Sequence, residues 1–210
     1  MTMPSYVKVK RVLDLLFSIL LLIIAAPIML CAAIAIKLGS RGPLLFKQER
    51  PGKDGVVFTI YKFRTMRLER EKDGRPLADM ERLTPVGGIL RKLSVDELPQ
   101  LFNILKGDMS FIGPRPLMVQ YLERYTPEQM RRHEVTPGIS GWAQIHGRNQ
   151  VGWETRFKYD VWYVEHISFC LDLRIFLKTL AIVLLRSGVN QSGNQTMEEF
   201  GGAENRTFRA

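Results

Sequence analysis

The pattern of apolar and polar positions divides the chain unevenly. From Leu15 to Ile36 no charged residue occurs, and Ser18 and Pro27 are the main interruptions of an aliphatic run. At about 1.5 Å per residue such a run reaches roughly 33 Å as a helix, enough for a bilayer core. A single spanning helix is the plain reading. Two features favour a helix that enters, bends and returns. Pro27 removes a backbone donor and crowds the preceding turn. Lys8, Lys10 and Arg11 on one flank and Lys37, Arg41, Lys47 and Arg50 on the other lack the asymmetry that orients a spanning helix. Both readings stay open, because proline kinks also occur in spanning helices. A cleaved signal peptide fits poorly: the run is too long, and the downstream chain has no secreted character.

Beyond a break at Gly39–Pro43, Leu44–Phe46 and Val56–Phe63 read as two short strands around a hairpin turn at Pro51–Gly55. Glu69 to Arg75 is a charged, exposed connection. Ser94 is expected to begin a helix carrying Leu98, Leu101, Phe102 and Leu105 on one face and ending before Gly107. Gly113-Pro114-Arg115-Pro116 is a stiff loop, followed by helical character from Pro116 to His133 around a break at Pro127. Pro137–Gly141 and His146–Asn149 read as further loops. Ile167 to Leu185 is apolar but holds Asp172, Arg174 and Lys178, too many charges for a second span. It fits either an interfacial helix or a core helix. Residues 187–210 form a polar tail, expected to be flexible or laid across the surface.

Composition sharpens this picture. The 210 residues carry 30 Lys plus Arg against 21 Asp plus Glu, a net charge of +9. With 46% hydrophobic and 24% charged residues, the chain is neither disordered nor collagen-like. Its two cysteines, Cys31 and Cys170, exclude a disulfide framework and favour a reducing compartment. A mean hydropathy of −0.05 averages an apolar insert with a polar remainder. The basic balance asks for an anionic partner: nucleic acid, a phosphate-bearing substrate or an acidic membrane surface. The scatter of basic residues, without a recognition helix, argues against nucleic acid.

Neither a P-loop, a paired CxxC nor an HExxH motif is present, and His133, His146 and His166 lack metal-ligand spacing. The suggestive stretch is Arg91 to Gln100. Ser94-x-x-Glu97 has the form of a capping box, with Asp96 in the first turn complementing the helix dipole. The same residues support chemistry. Adjacent helical side chains diverge by about 100°, so Asp96 and Glu97 cannot face each other; one could attack an electrophile while the other holds a metal. A carboxylate attacking phosphorus gives an acyl-phosphate, and the encounter of two anions needs Mg²⁺ and cationic side chains. Lys62, Arg64, Arg91, Arg115 and Arg148 lie in stiff segments and are the candidate cations. Capping and catalysis both remain open on these residues alone.

The stretches KRVLDLL (10–16), FTIYKFRTM (58–66), LSVDELPQLFNILKGDMSFIGPRP (93–116), PGISGWAQIHGRN (137–149) and YDVWYVEHISFCLDLRI (159–175) together resemble the bacterial monotopic phosphoglycosyl transferases, or bacterial sugar transferases. The short length and the tail motif at 195–200 are similar to the small PglC-like members. The resemblance implies an α/β, mostly helical monotopic membrane protein. Its parts would be a Pro-broken re-entrant anchor over 1–40, a catalytic domain with interfacial amphipathic helices and a small strand element over 41–186, and a tail over 187–210. It implies transfer of a phospho-sugar, N-acetylated by subgroup likeness, from a UDP-sugar to undecaprenyl phosphate, with UMP released. A hexose donor for polysaccharide initiation is the alternative. Asp96 is then the nucleophile, Glu97 the Mg²⁺ ligand, and Lys62, Arg91, Arg115 and Arg148 match family basic residues around the phosphates, with Arg64 a further candidate for substrate binding from the residue pattern. Pro27 matches the family's helix-breaking proline, although Ala26 stands where related sequences often have Ser. The implied location is the cytoplasmic face of the bacterial inner membrane. The lipid bilayer is a partner and nucleic acid is not; homo-oligomerisation stays open.

Overall fold

The computed structural model describes residues 6–68, 71–72, 75–147, 151–184 and 199–202. The chain begins with α1 (Tyr6–Gly39), then an antiparallel hairpin, β1 (Leu45–Pro51) and β2 (Val57–Phe63), in which Leu45 pairs with Phe63 and Pro51 with Val57. A two-residue ribbon, β3 (Glu71–Lys72) and β4 (Arg75–Pro76), leads into α2 (Asp79–Arg82), α3 (Pro85–Lys92) and α4 (Gln100–Lys106). Next come β5 (Ser110–Ile112), α5 (Pro127–Met130), β6 (Gly138–Ser140), α6 (Trp142–Ile145), α7 (Trp153–His166) and α8 (Phe169–Leu184).

α1 is helical through Pro27, so the break expected there does not interrupt it. Its buried positions, Lys10, Asp14, Ser18, Ala25, Ala32 and Ile36, form one stripe. The opposite faces, including Phe17, Leu20, Ile23, Ile24, Leu30 and Ile34, are exposed. The stripe touches the rest of the protein along its whole length. Near the start, Lys10 pairs with Asp172 of α8, and Tyr6 donates to the same carboxylate at 2.7 Å. Arg11 donates to the carbonyls of Ile104 and Leu105, supplying partners for the open end of α4. Leu22 packs on a cluster of Ile60, Leu101, Ile104 and Met109. At the far end Ala32 and Ile36 join Phe63 and Leu90.

The helix start expected at Ser94 needs correction. Ser94 adopts a left-handed conformation (φ 55°) and its side chain caps nothing. Residues Val95–Glu97 form a single 3-10 turn, and α4 begins only at Gln100, after Pro99. The delay rotates the buried face to Gln100, Leu101, Asn103 and Ile104, leaving Phe102 47% exposed. Side-chain caps appear instead at Thr84, which accepts from Gly87 at 2.9 Å, and in a reciprocal Thr126–Gln129 box.

The expected loop at Pro137–Gly141 is a strand: β6 pairs in parallel with β5, Ser110 opposite Gly138 and Ile112 opposite Ser140. The backbones approach so closely that a Cβ on Gly138 would sit 2.1 Å from the Gly113 nitrogen. α8 buries one face in the core and leaves an apolar face exposed. Leu171 and Ile175 enter a core with Ile112, Val135 and Tyr163. Phe169, Leu173, Phe176, Leu177, Leu180 and Val183 stay exposed. In the tail, Glu199–Gly202 are described, and Phe200 is 6% exposed, packed with Leu117, Tyr121 and Phe157. This part of the tail is held against the rest of the protein by Phe200.

Candidate active site

The 3-10 turn Val95–Glu97 presents two half-buried carboxylates beside the end of β2. Lys62, one residue from the end of β2, donates to Glu97 Oε1 at 2.6 Å. Arg115 reaches the same oxygen at 3.0 Å from the loop after β5. Burial raises the Glu97 carboxyl, but the Arg115 and Lys62 charges outweigh it and hold it down at about 2. Asp96 is different. Burial and the adjacent Glu97 charge raise its carboxyl, opposed by Lys62 and Arg91. Among the described residues, no side chain of another residue donates a hydrogen bond to it. One carboxylate is thus clamped between two cations and the other is not.

Arg115 is placed by backbone geometry. Gly113 donates to Ser140 at 2.8 Å and Gly138 to Pro114 at 3.0 Å, so the parallel pair of β5 and β6 fixes the root of the loop. The Arg115 carbonyl accepts from Arg132 at 2.7 Å, and Arg132, 2% exposed, is locked to Asp160 of α7 by Nε and Nη2. Arg91 lies at the end of α3, where its Nε donates to Thr65 Oγ1 at 3.0 Å while its charge acts on Asp96.

The structure therefore brings Asp96, Glu97, Lys62, Arg91 and Arg115 together. Arg64 is placed otherwise: it is buried, with Nε donating to Pro43 O at 2.6 Å and Nη2 to Ser40 O at 3.0 Å. Those bonds tie the chain leaving α1 to the end of β2. Arg148 lies outside the described residues. The sequence reading missed Thr65, Arg132 and Asp160. Thr65 lies inside the motif at 58–66, but Arg132 and Asp160 are far apart in sequence and carry no local signal of their pairing.

For a metal, the described residues contain no group of three or more His, Cys, Asp or Glu side chains that could hold one. Asp96 and Glu97 supply two carboxylates. That donor set fits Mg²⁺, which is commonly held by one or two carboxylates plus substrate phosphates and water.

Comparison with known proteins identifies a family. The family model described as bacterial sugar transferase matches residues 5–186. A sugar transferase of Bacillus subtilis, EpsL, is 52% identical over 194 residues, covering 92% of this chain and 96% of the relative. The UDP-N-acetylgalactosamine-undecaprenyl-phosphate N-acetylgalactosaminephosphotransferase of Aeromonas hydrophila is 45% identical, over 88% of this chain and 46% of its own length. The undecaprenyl-phosphate galactose phosphotransferase of Salmonella typhimurium is 40% identical, over 85% of this chain and 41% of its own. The chain thus spans nearly all of the first relative and under half of the other two.

Proposed function

The chain belongs to the bacterial sugar transferase family, and on that premise we propose that it transfers a sugar phosphate from a UDP-sugar to undecaprenyl phosphate. The observation that carries this reading is the asymmetry of the dyad: Glu97 is held by two cations, while Asp96 beside it accepts from no other side chain among the described residues.

An Asp96 oxygen attacks the β-phosphorus of the donor, and the bond from that phosphorus to the bridging oxygen breaks. UMP leaves with the bonding electrons, and the sugar phosphate stays on Asp96 as an acyl-phosphate. An oxygen of the lipid phosphate then attacks the same phosphorus, releasing the Asp96 carboxylate and undecaprenyl-diphosphate-sugar. Lys62, Arg91 and Arg115 lower the repulsion between the carboxylate and the diphosphate. Glu97 would hold Mg²⁺, which would supply charge neutralisation for the diphosphate.

The membrane arrangement is argued from α1. Both its ends pack on the same body, Lys10 on α8 and Ile36 on Phe63 and Leu90. A helix crossing the bilayer once would carry one end away. We read α1 as entering and leaving by the cytoplasmic face, a reading supported by the packing of both its ends on one body and not by a break at Pro27, through which the helix continues. The exposed face of α8 lies in the interface beside it.

Asp96→Asn is expected to abolish both UMP release from a UDP-sugar and formation of a labelled protein adduct; release at near the wild-type rate would overturn the nucleophile. A panel of UDP-sugars, including N-acetylated and hexose donors, assigns the sugar by which one yields UMP. Binding without turnover of any donor would favour a membrane-anchored binding protein instead.

A further inference from the structure

Thr65, just beyond the end of β2, meets both ends of α3. At the start of that helix its carbonyl accepts from the Thr84 amide at 3.0 Å and from the Thr84 hydroxyl at 3.2 Å. Gly87 lies so close to the same peptide that a Cβ there would sit 2.0 Å from the Thr65 carbonyl oxygen. One turn later Arg91 returns over the same face, and its Nε donates to Thr65 Oγ1 at 3.0 Å. The backbone and side chain of one residue therefore hold the first and last turns of α3 (Pro85–Lys92).

The two contacts have different consequences. Thr84 caps α3 and the Thr65 carbonyl holds Thr84, so the helix start is complete without the Thr65 hydroxyl. Thr65 is buried, and among the described residues its hydroxyl has Arg91 as partner. Arg91 is in turn the joint between α3 and the dyad. Its carbonyl accepts from Ser94 at 3.1 Å, and the Ser94 carbonyl accepts from Glu97 at 3.3 Å. Lys62, in the same stretch as Thr65, closes the circuit on Glu97 at 2.6 Å. Arg91 is exposed, and an exposed arginine without a tether samples many rotamers. With Nε held, its fork keeps one direction. Its two terminal nitrogens bond nothing among the described residues and stay open to phosphate oxygens.

We propose that Thr65 is a positioning residue of the transfer: its hydroxyl fixes the Arg91 guanidinium for the diphosphate of the donor. The inference rests on the transferase reading. Thr65 acts through Arg91 and not on the reacting atoms. A cation held in place before the substrate arrives need not be ordered in each turnover, which lowers the barrier.

The test uses the full-length protein in nanodiscs, with UMP release from a UDP-sugar as the activity and UDP as a binding probe. Thr65→Val removes the hydroxyl and keeps the carbonyl, and kcat/KM for UMP release is expected to fall about tenfold. Thr65→Ser keeps the hydroxyl and should stay within about twofold of the wild type. The melting temperature of Thr65→Val should stay near that of the wild type, because water can take the donor of exposed Arg91. In an Arg91→Lys background, which lacks Nε, Thr65→Val should add less than about twofold, as expected of a residue that acts through the arginine. A wild-type rate in Thr65→Val overturns the clamp. So does the same tenfold loss repeated on Arg91→Lys, or a loss in Thr65→Ser as large as in Thr65→Val. A melting temperature lowered alike in both Thr65 variants also overturns it, since the residue would then be structural. If the wild type releases UMP from no donor, the transferase reading fails, and UDP affinity decides the clamp. Affinity about fivefold weaker in Thr65→Val, restored in Thr65→Ser and not weakened further on Arg91→Lys supports it. Equal affinities, or no UDP binding, overturn it.

Discussion

Glu97 and Asp96 are neighbours in sequence with opposite surroundings, and the difference predicts different phenotypes. Glu97→Gln leaves Lys62 and Arg115 facing a neutral amide, so the main expectation is a weaker grip on Mg²⁺: a titration midpoint raised about tenfold, with loss of rate. An unchanged metal titration would remove Glu97 as ligand. His133 gives a pH prediction apart from the chemistry. Burial first and the Arg132 charge second push its imidazole down to about 4. The unfolded chain titrates near the ordinary value, so the stability from neutral His133 is present above about 6.5. It is lost as pH falls toward the folded value, by an amount of the order of 3 kcal/mol. Melting temperatures at pH 7 and pH 5 should diverge in the wild type and converge in His133→Asn. Single-residue roles were legible where they sit in contiguous motifs, as with Asp96, Glu97 and Lys62. Arg64 shows the limit: its type and position suggested phosphate, yet the carbonyls of Ser40 and Pro43 take its donors.

At the scale of elements, the sequence announced the hairpin, α1 and α8, because each carries a long, clear pattern. It misjudged the start of α4. A capping box needs Ser94 in an extended conformation, and the left-handed turn there aims Asp96 and Glu97 at the site instead. β5 and β6 escaped detection because three residues are too few for alternation to show, and β6 depends on a glycine for its close approach. That contact yields a prediction. Gly138→Ala forces a Cβ against the Gly113 backbone, so stability should fall by about 1–3 kcal/mol and UMP release should drop with the displaced Arg115 loop. Asp160→Asn strands a buried guanidinium and should cost about 3–5 kcal/mol, read in a denaturant melt. A wild-type midpoint for Asp160→Asn would mean the pair does not hold α7 to that loop.

For the whole molecule, the net charge of +9 first suggested several anionic partners, and the folded arrangement sorts it. Lys10 and Arg11 fix the first turns of α1 to α8 and α4. Lys62, Arg91 and Arg115 gather at the dyad. The same arrangement makes a topological prediction: single cysteines at Lys8 and Leu38, in a variant lacking Cys31 and Cys170, should both label from the cytoplasmic side of sealed vesicles. Labelling from opposite sides would make α1 a spanning helix. Phe200 carries a consequence of another kind. It meets Tyr121, Tyr125, Trp153 and Phe157 at ring separations of 5.0–5.8 Å, and it lies C-terminal to all of them. During synthesis α1 emerges long before Phe200. The protein therefore commits to the bilayer long before its aromatic cluster can close, and until then Trp153, the ring beneath Arg156, lacks one wall. A ribosome stalled before codon 200 leaves a membrane-bound chain with an open aromatic cleft, the kind of surface that quality-control proteases read.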